Sequence, residues 1–230
     1  VTNGIIPPPA NPLVISQPCI RLVDVDNVGP TFGRHLTIFE MGGHHAFNYP
    51  DKEVYWKDGT VRYHHELVTK ELGVKSEEIV YKEDVWSGGG NAGPDLETII
   101  CGCEIDTLVF MKFRVVDNDF IELPIRTVDT GYGIDRYTWL SQGSLSCFHA
   151  IHGPIIDQIM KMADITNVDV DFLKRVAQQS GLMVLGKTGD RREAREKVAK
   201  NIGANVDELL KSLVPVENAF AVADHTKCLA

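Results

Sequence analysis

The stretch LETIICGCEIDTLVFMKFRVVDNDFIELPIRTVDTGYGIDR, residues 96–136, decides the fold. Its β-branched and aromatic residues fall into three runs, Leu96–Cys103, Thr107–Val116 and Phe120–Val128, of the composition that suits a pleated, half-buried surface. The polar turn Asp117-Asn118-Asp119 separates the last two, so successive antiparallel strands are expected. Asp129–Gly133 reads as a further turn, and Ile134–Leu140 opens a helix.

Working outward toward the start, Trp86–Pro94 (WSGGGNAGP) reads as a glycine-rich turn and Ile79–Val85 as a strand. Lys57–Leu72 has helical spacing, with Gly73 as its stop. Pro18–Val23 and His35–Met41 read as two strands around the polar loop Asp24–Gly33, an antiparallel pair. Val1–Gln17 reads as an extended lead-in whose stiff part is Pro7-Pro8-Pro9. Beyond Ala150 the pattern becomes helical, over Ile151–Ala163, Val170–Ser180, Arg191–Ile202 and Val206–Leu213. The expected class is therefore α+β, a mainly antiparallel sheet with flanking helices followed by a helical region. The expected domains are 1–150 and 151–230.

The chain has 230 residues, 43% apolar and 24% charged, with a net charge of −9. This is globular composition, and the acidic sign argues against a dedicated DNA- or RNA-binding module. No apolar run approaches the roughly 18 residues of a membrane helix, and Val1–Ala10 lacks the basic and apolar regions of a signal peptide. A cytoplasmic protein with no membrane partner is the expectation. Five cysteines, an odd number, do not suggest a disulfide framework. Cys101-Gly-Cys103 lacks the spacing of a zinc knuckle and reads as alternate positions of one strand. The mostly charged segment Arg191–Lys200 reads as a solvated helix face, with an RNA-contacting face as the alternative.

Four features could carry chemistry. Arg21 precedes a flexible acidic loop, where a guanidinium can grip a phosphate through paired hydrogen bonds, and Phe39 on the next strand could stack on a flat base. The glycines after Trp86 would let backbone approach a ligand, though their spacing fits neither the Walker nor the dinucleotide motif. Thr127–Arg136 places Asp129 at a strand end, fit to hold a cation. It also places Arg136 in a first helical turn, where a positive charge opposes the helix dipole. His44-His45 has no further ligand at metal spacing and reads as a pair of local hydrogen-bonding residues.

The wording of these segments is more specific than their chemistry. Asp26-Asn-Val-Gly29, Gly33-Arg-His-Leu-Thr-Ile-Phe-Glu-Met41, His44-His-Ala-Phe-Asn-Tyr-Pro50, Trp86–Pro94, Thr107-Leu-Val-Phe-Met111 and Val128-Asp-Thr-Gly-Tyr-Gly133 together resemble the archaeal-type alanyl-tRNA synthetases, members of class II. The likeness is strong over Pro7–Cys147 and returns at Ala223-Asp-His-Thr226. It implies activation of alanine with ATP and Mg²⁺, then transfer of the alanyl group to tRNA(Ala). By resemblance, Arg21 holds the α-phosphate, Phe39 stacks on adenine, and Arg136 packs on the nucleotide's other face. Trp86, Val109, Asp129 and Gly131 match the alanine pocket, with Asp129 on the α-ammonium, and Glu97 matches a Mg²⁺ ligand. The family's first motif and its editing region have no counterpart here, and the loop before the second strand carries Phe32, one residue more than the pattern. A catalytic-core piece is therefore expected. The alternatives are a free-standing paralogue that makes an adenylate for another acceptor, and a non-catalytic binding module.

Overall fold

A computed structural model describes residues 1–117, 119–166, 168–184 and 190–230. Six strands form one sheet: β1 (Leu13–Ile20), β2 (Ile38–Asn48), β3 (Ile79–Gly88), β4 (Asn91–Ile100), β5 (Cys103–Val116) and β6 (Asp119–Gly133). Their spatial order is β1-β2-β6-β5-β4-β3. Every pairing from β2 through β3 is antiparallel. The α+β expectation holds. No helix among the described residues is long and apolar enough to cross a membrane.

Tight turns explain where strand boundaries differ from expectation. Two-residue hairpins need positive φ, because only that twist matches the strands they join. Gly89 and Gly90 sit at φ +57° and +78° and alone form the β3–β4 turn, so Trp86 to Gly88 and Asn91 to Pro94 belong to strands. Cys101 and Gly102, at φ +52° and +71°, form the β4–β5 turn. The expected strand Leu96–Cys103 therefore ends at Ile100, and Cys101 is exposed while Cys103 is buried. Asp117 sits at φ +50° in the β5–β6 turn, and Asn118 of that expected turn lies outside the described residues.

Asp129–Gly133 is strand, not turn. β6 is flanked on both sides, with His45 and Val109 both opposite Asp129, so ladder bonds hold the glycines extended. β2 likewise outruns its expected end at Met41 and continues to Asn48. β1 starts at Leu13, inside the supposed lead-in, and ends at Ile20, short of the expected Val23.

The helices are α1 (Lys57–Glu66), extended by a wide π turn over Leu67–Glu71 to its stop at Gly73, then α2 (Ile134–Gln142), α3 (Cys147–His152), α4 (Pro154–Met162), α5 (Val170–Gln179), α6 (Arg191–Ile202) and α7 (Val206–Leu229). Gly153 at φ +50° followed by Pro154 splits what reads as one helix over 151–163. The opposite correction applies to α7, which runs through Pro215 instead of ending at Leu213. Buried Leu209, Leu213, Val216, Phe220 and Ala223 keep one face of α7 packed across the proline, and that burial outweighs the lost backbone bond.

The chain forms two compact units that interleave in sequence: Val1–Gln17 with Met41–Gly133, and Pro18–Glu40 with Ile134–Ala230. This division by compactness differs in kind from the functional one expected at residue 150. The second unit is built around aromatics. Phe220 lies edge-on to Phe32 at 5.4 Å and stacks on Phe148 at 4.9 Å. Phe32 is fully buried and takes φ +58° to reach this position. Gly29 lies against α7 so closely that a Cβ there would meet the Glu217 carbonyl oxygen.

The second unit also buries an ion pair, Arg195 on α6 with Glu217 on α7. Burial pushes the Glu217 carboxyl up, against the pull of Arg195 and then Arg191. Such a pair adds little net stability but is costly to break on one side. Arg195→Ala should cost about 3–5 kcal/mol, whereas Arg195→Met with Glu217→Leu should cost far less. Denaturant unfolding of the single and double variants checks this. Equal losses in both would show that the pair stabilises by attraction.

Candidate active site

Antiparallel register decides which side chains share a face, since directly opposed residues point the same way. Asp84, Asp95, Val109, Asp129 and His45 are opposed in turn across β3, β4, β5, β6 and β2. Lys82, Glu97, Thr107 and Gly131 form the next row on that face. Trp86 is two residues beyond Asp84 and packs against Val109, Met111 and Leu123. The fold thus brings Trp86, Val109, Asp129, Gly131 and Glu97 onto one sheet face of the first unit.

Local details shape this face. The indole of Trp86 lies over Gly88, where a Cβ would come within 2.7 Å of the ring. Gly131 leaves room that Met41 borders, its Sδ 3.2 Å from where a Cβ would stand. Asp129 is one-third exposed, and its Oδ1 lies 2.8 Å from His45 Nδ1. Asp95 is buried with its Oδ1 unpartnered, and burial, then Glu97 and Asp84, raise its pKa. Glu97 is bound by Lys82, whose Nζ lies 2.8 Å from Oε2 and also reaches Asp84. Hydrogen bonds to Glu97 and then Asp84 hold the Lys82 ammonium well above its usual range.

No cluster of three His, Cys, Asp or Glu side chains among the described residues could cage a metal alone. Mg²⁺ often takes only one or two carboxylates and completes its shell with phosphate and water. Glu97 fits that part once Lys82 releases it.

On the opposite face the β2 and β6 neighbours of these residues join a buried polar chain. Tyr55 OH lies 2.8 Å from His44 Nδ1, and His44 Nε2 lies 3.1 Å from Tyr132 OH. Tyr132 OH lies 3.3 Å from His64 Nδ1, and His64 Nε2 lies 3.0 Å from Thr98 Oγ1 and 3.6 Å from Asp106. One self-consistent assignment puts a proton on His64 Nε2, directed at Thr98 Oγ1. Tyr132 then donates to His64 Nδ1, His44 Nε2 donates to Tyr132, and Tyr55 donates to His44 Nδ1. The pattern requires both imidazoles neutral. Burial, aided by neighbouring histidines, lowers both to about 4. Burial also pushes Tyr55 to about 12.

The second unit holds the other expected residues. Arg21 lies just past the end of β1, not on it, with a side chain 63% exposed and a loose 3.9 Å approach to Asp24. Its N–H donates to Thr37 O, two residues before half-buried Phe39. The N–H of Glu40 donates to the carboxylate of Asp135, one residue before Arg136. These two bonds bring the Arg21, Phe39 and Arg136 positions to one locality. Arg136 itself donates from Nε and Nη2 to the Arg34 carbonyl, with Nε at 3.1 Å. This tie supplies a reason for a cation at that helix start.

Two sequence readings gain detail. His44 and His45 are strand neighbours on opposite faces, one in the buried chain and one on Asp129, and an expected strand end at Met41 concealed that. The basic cluster of α6 is in part the expected solvated face, with Arg192 and Lys197 exposed, and in part buried. Arg195 is buried against Glu217, Arg192 and Lys197 pair with Glu196 and Glu193 on their own helix, and Arg191 donates to Asp26 O.

The family model described as tRNA synthetases class II (A) matches residues 1–230. Alanine–tRNA ligase of Metallosphaera sedula is 49% identical over 230 residues, all of this chain and 25% of that protein. The enzyme of the same name from Methanococcus maripaludis is 50% identical over the whole chain and 26% of its own length. The chain spans about a quarter of the length of the curated relatives it matches. A solved pyrrolysyl-tRNA synthetase from Desulfitobacterium hafniense aligns at 13% identity with a TM-score of 0.38, covering 63% of this chain and 47% of that one.

The buried chain sets a pH limit on stability. His44 and His64 have folded values near 4 against 6.5 when exposed. The unfolded chain therefore takes up protons first as pH falls, and stability is lost across that window. Each imidazole accounts for about 3 kcal/mol of the loss. Urea unfolding across the window should show the decline, and His44→Gln with His64→Gln should flatten it. A wild-type stability independent of pH there would contradict the assigned protonation.

Proposed function

The chain belongs to the class II tRNA synthetase family, and on that premise we propose that it supplies the alanine-activating part of an alanine–tRNA ligase. One observation supports this reading most directly. Trp86, Val109, Asp129 and Gly131 come from three strands, yet register places them together on one sheet face. That face offers a carboxylate for an α-ammonium, an aromatic wall, and a glycine where a side chain would fill the space.

The reaction joins the alanine carboxylate to the α-phosphate of ATP and releases pyrophosphate. The attacking carboxylate is already ionised, so no general base is needed, and catalysis rests on positioning and charge stabilisation. Asp129 holds the ammonium and Trp86 excludes larger side chains. Arg21 holds the α-phosphate, Phe39 stacks on the adenine, and Arg136 packs on the nucleotide's other face. Mg²⁺, when bound, would neutralise charge on the phosphate oxygens, with Glu97 as its ligand from this chain.

Transfer to tRNA(Ala), a cytoplasmic setting, and the 1–150 and 151–230 division of labour belong to the same proposal. The paired charges of α6 lend no support to a tRNA-contacting face there.

Glycine fits the same pocket and loses one methyl contact, and serine adds one hydroxyl. Discrimination against each is limited to about 10–200-fold. ATP–pyrophosphate exchange by the protein that carries this chain should therefore proceed with alanine and measurably with glycine and serine. Asp129→Asn should lower all three together, by about 10–100-fold, the worth of a hydrogen bond to a charged group. Undiminished exchange by that variant, or exchange with a bulky amino acid in place of alanine, would overturn the reading.

A further inference from the structure

We propose that His45 is a positioning residue of the amino-acid pocket, donating Nδ1–H to one oxygen of Asp129 so that the other is aimed at the substrate ammonium. The inference rests on the alanine reading of this face and extends it to a residue outside the family's motif roles given above.

His45 and Asp129 are directly opposed across β2 and β6. Nδ1 lies 2.8 Å from Oδ1, with the imidazole 14% and the carboxylate 34% exposed. The carboxylate only accepts, so Nδ1 carries the proton. Nε2 is buried without a partner. The ring is seated over Gly43, where a Cβ would stand 3.3 Å from Nε2 and 2.5 Å from the Thr130 carbonyl oxygen. A side chain at position 43 would collide with the Thr130 backbone and also crowd the imidazole.

The chemistry explains why the donor is an imidazole. An aspartate's terminal torsion is broad and roughly two-fold, so a carboxylate on a half-open face does not hold one orientation unaided. A hydrogen bond from β2 fixes it before substrate arrives, which lowers the ordering cost of binding. A lysine or arginine in the same place would fix it equally well but would compete with the ammonium for the same negative charge. Imidazole donates without needing a charge of its own. Oδ1 is thereby committed, and Oδ2 is left for the ligand.

A tie that merely joined two strands would affect stability or both substrates alike. A positioning role acts on the amino acid alone. In the whole enzyme, measured by pyrophosphate exchange, His45→Leu should raise KM for alanine, glycine and serine by about 10–100-fold. KM for ATP and the kcat should change little. His45→Asn, which offers an amide N–H near the place of Nδ1, should recover most of the loss. In Asp129→Asn the leucine change should add nothing further, because the group it orients has lost its charge.

A normal alanine KM in His45→Leu, alongside a raised one in Asp129→Asn, would overturn this inference and leave the pocket standing. An unaltered alanine KM in Asp129→Asn would overturn both. Should His45→Leu fail to fold, nitrogen NMR of the wild-type imidazole decides. A protonated Nδ1 whose resonance moves on saturation with alanine supports the role, and a bare Nδ1 excludes it.

Discussion

The register of β6 between β2 and β5 is the constraint on which the rest depends. Asp129 is opposed by His45 on one side and by Val109 on the other. A slip by one residue would turn Asp129 and Gly131 to the opposite face and bring Thr130 and Tyr132 onto the candidate site. The buried chain Tyr55–His44–Tyr132–His64 works against such a slip. It takes a side chain from β2 and one from β6 and ties them to α1 in one satisfied hydrogen-bond pattern. Buried polar groups are costly when unpaired, so any other register would leave several of them without partners. The site face is thus specified from behind.

Each face of β2 and β6 has a distinct electrostatic task. Behind, neutral imidazoles and protonated tyrosines pass hydrogen bonds between uncharged groups, and burial keeps them so. In front, carboxylates stand in positions that range from half-open to buried. Asp129 stands 2.8 Å from an imidazole, Glu97 is bound by a lysine, and buried Asp95 carries an oxygen with no partner. Adjacent histidines in one strand serve both faces because side chains alternate.

Much of the fold was legible in the sequence. β-branched runs gave the antiparallel sheet, and the change of pattern after Ala150 gave the helices. Boundaries failed where a local signal was read without its neighbours. Cys101-Gly102 and Gly89-Gly90 are two-residue turns whose tightness only strand pairing reveals, and the glycines after Asp129 look like a turn until strands are placed on both sides. Pro215 reads as a stop because its packing partners are distant in sequence. The candidate residues were legible as motifs, and their arrangement was not. Nothing local to His45 says that it meets Asp129, because the two are 84 positions apart and are joined only by register. The Arg195–Glu217 pair was hidden in the same way, inside a segment that looks like a solvated face.

On the proposed reading, register builds an alanine pocket on the front of β5 and β6. A crystal structure of the chain with a non-reactive alanyl-adenylate analogue tests it most directly. The analogue's ammonium is expected at hydrogen-bond distance, about 3 Å, from Asp129 Oδ2, with its methyl group against Trp86 and Val109 and His45 still beside Oδ1. An ammonium held by other groups, or a methyl directed away from Trp86 and Val109, would contradict it.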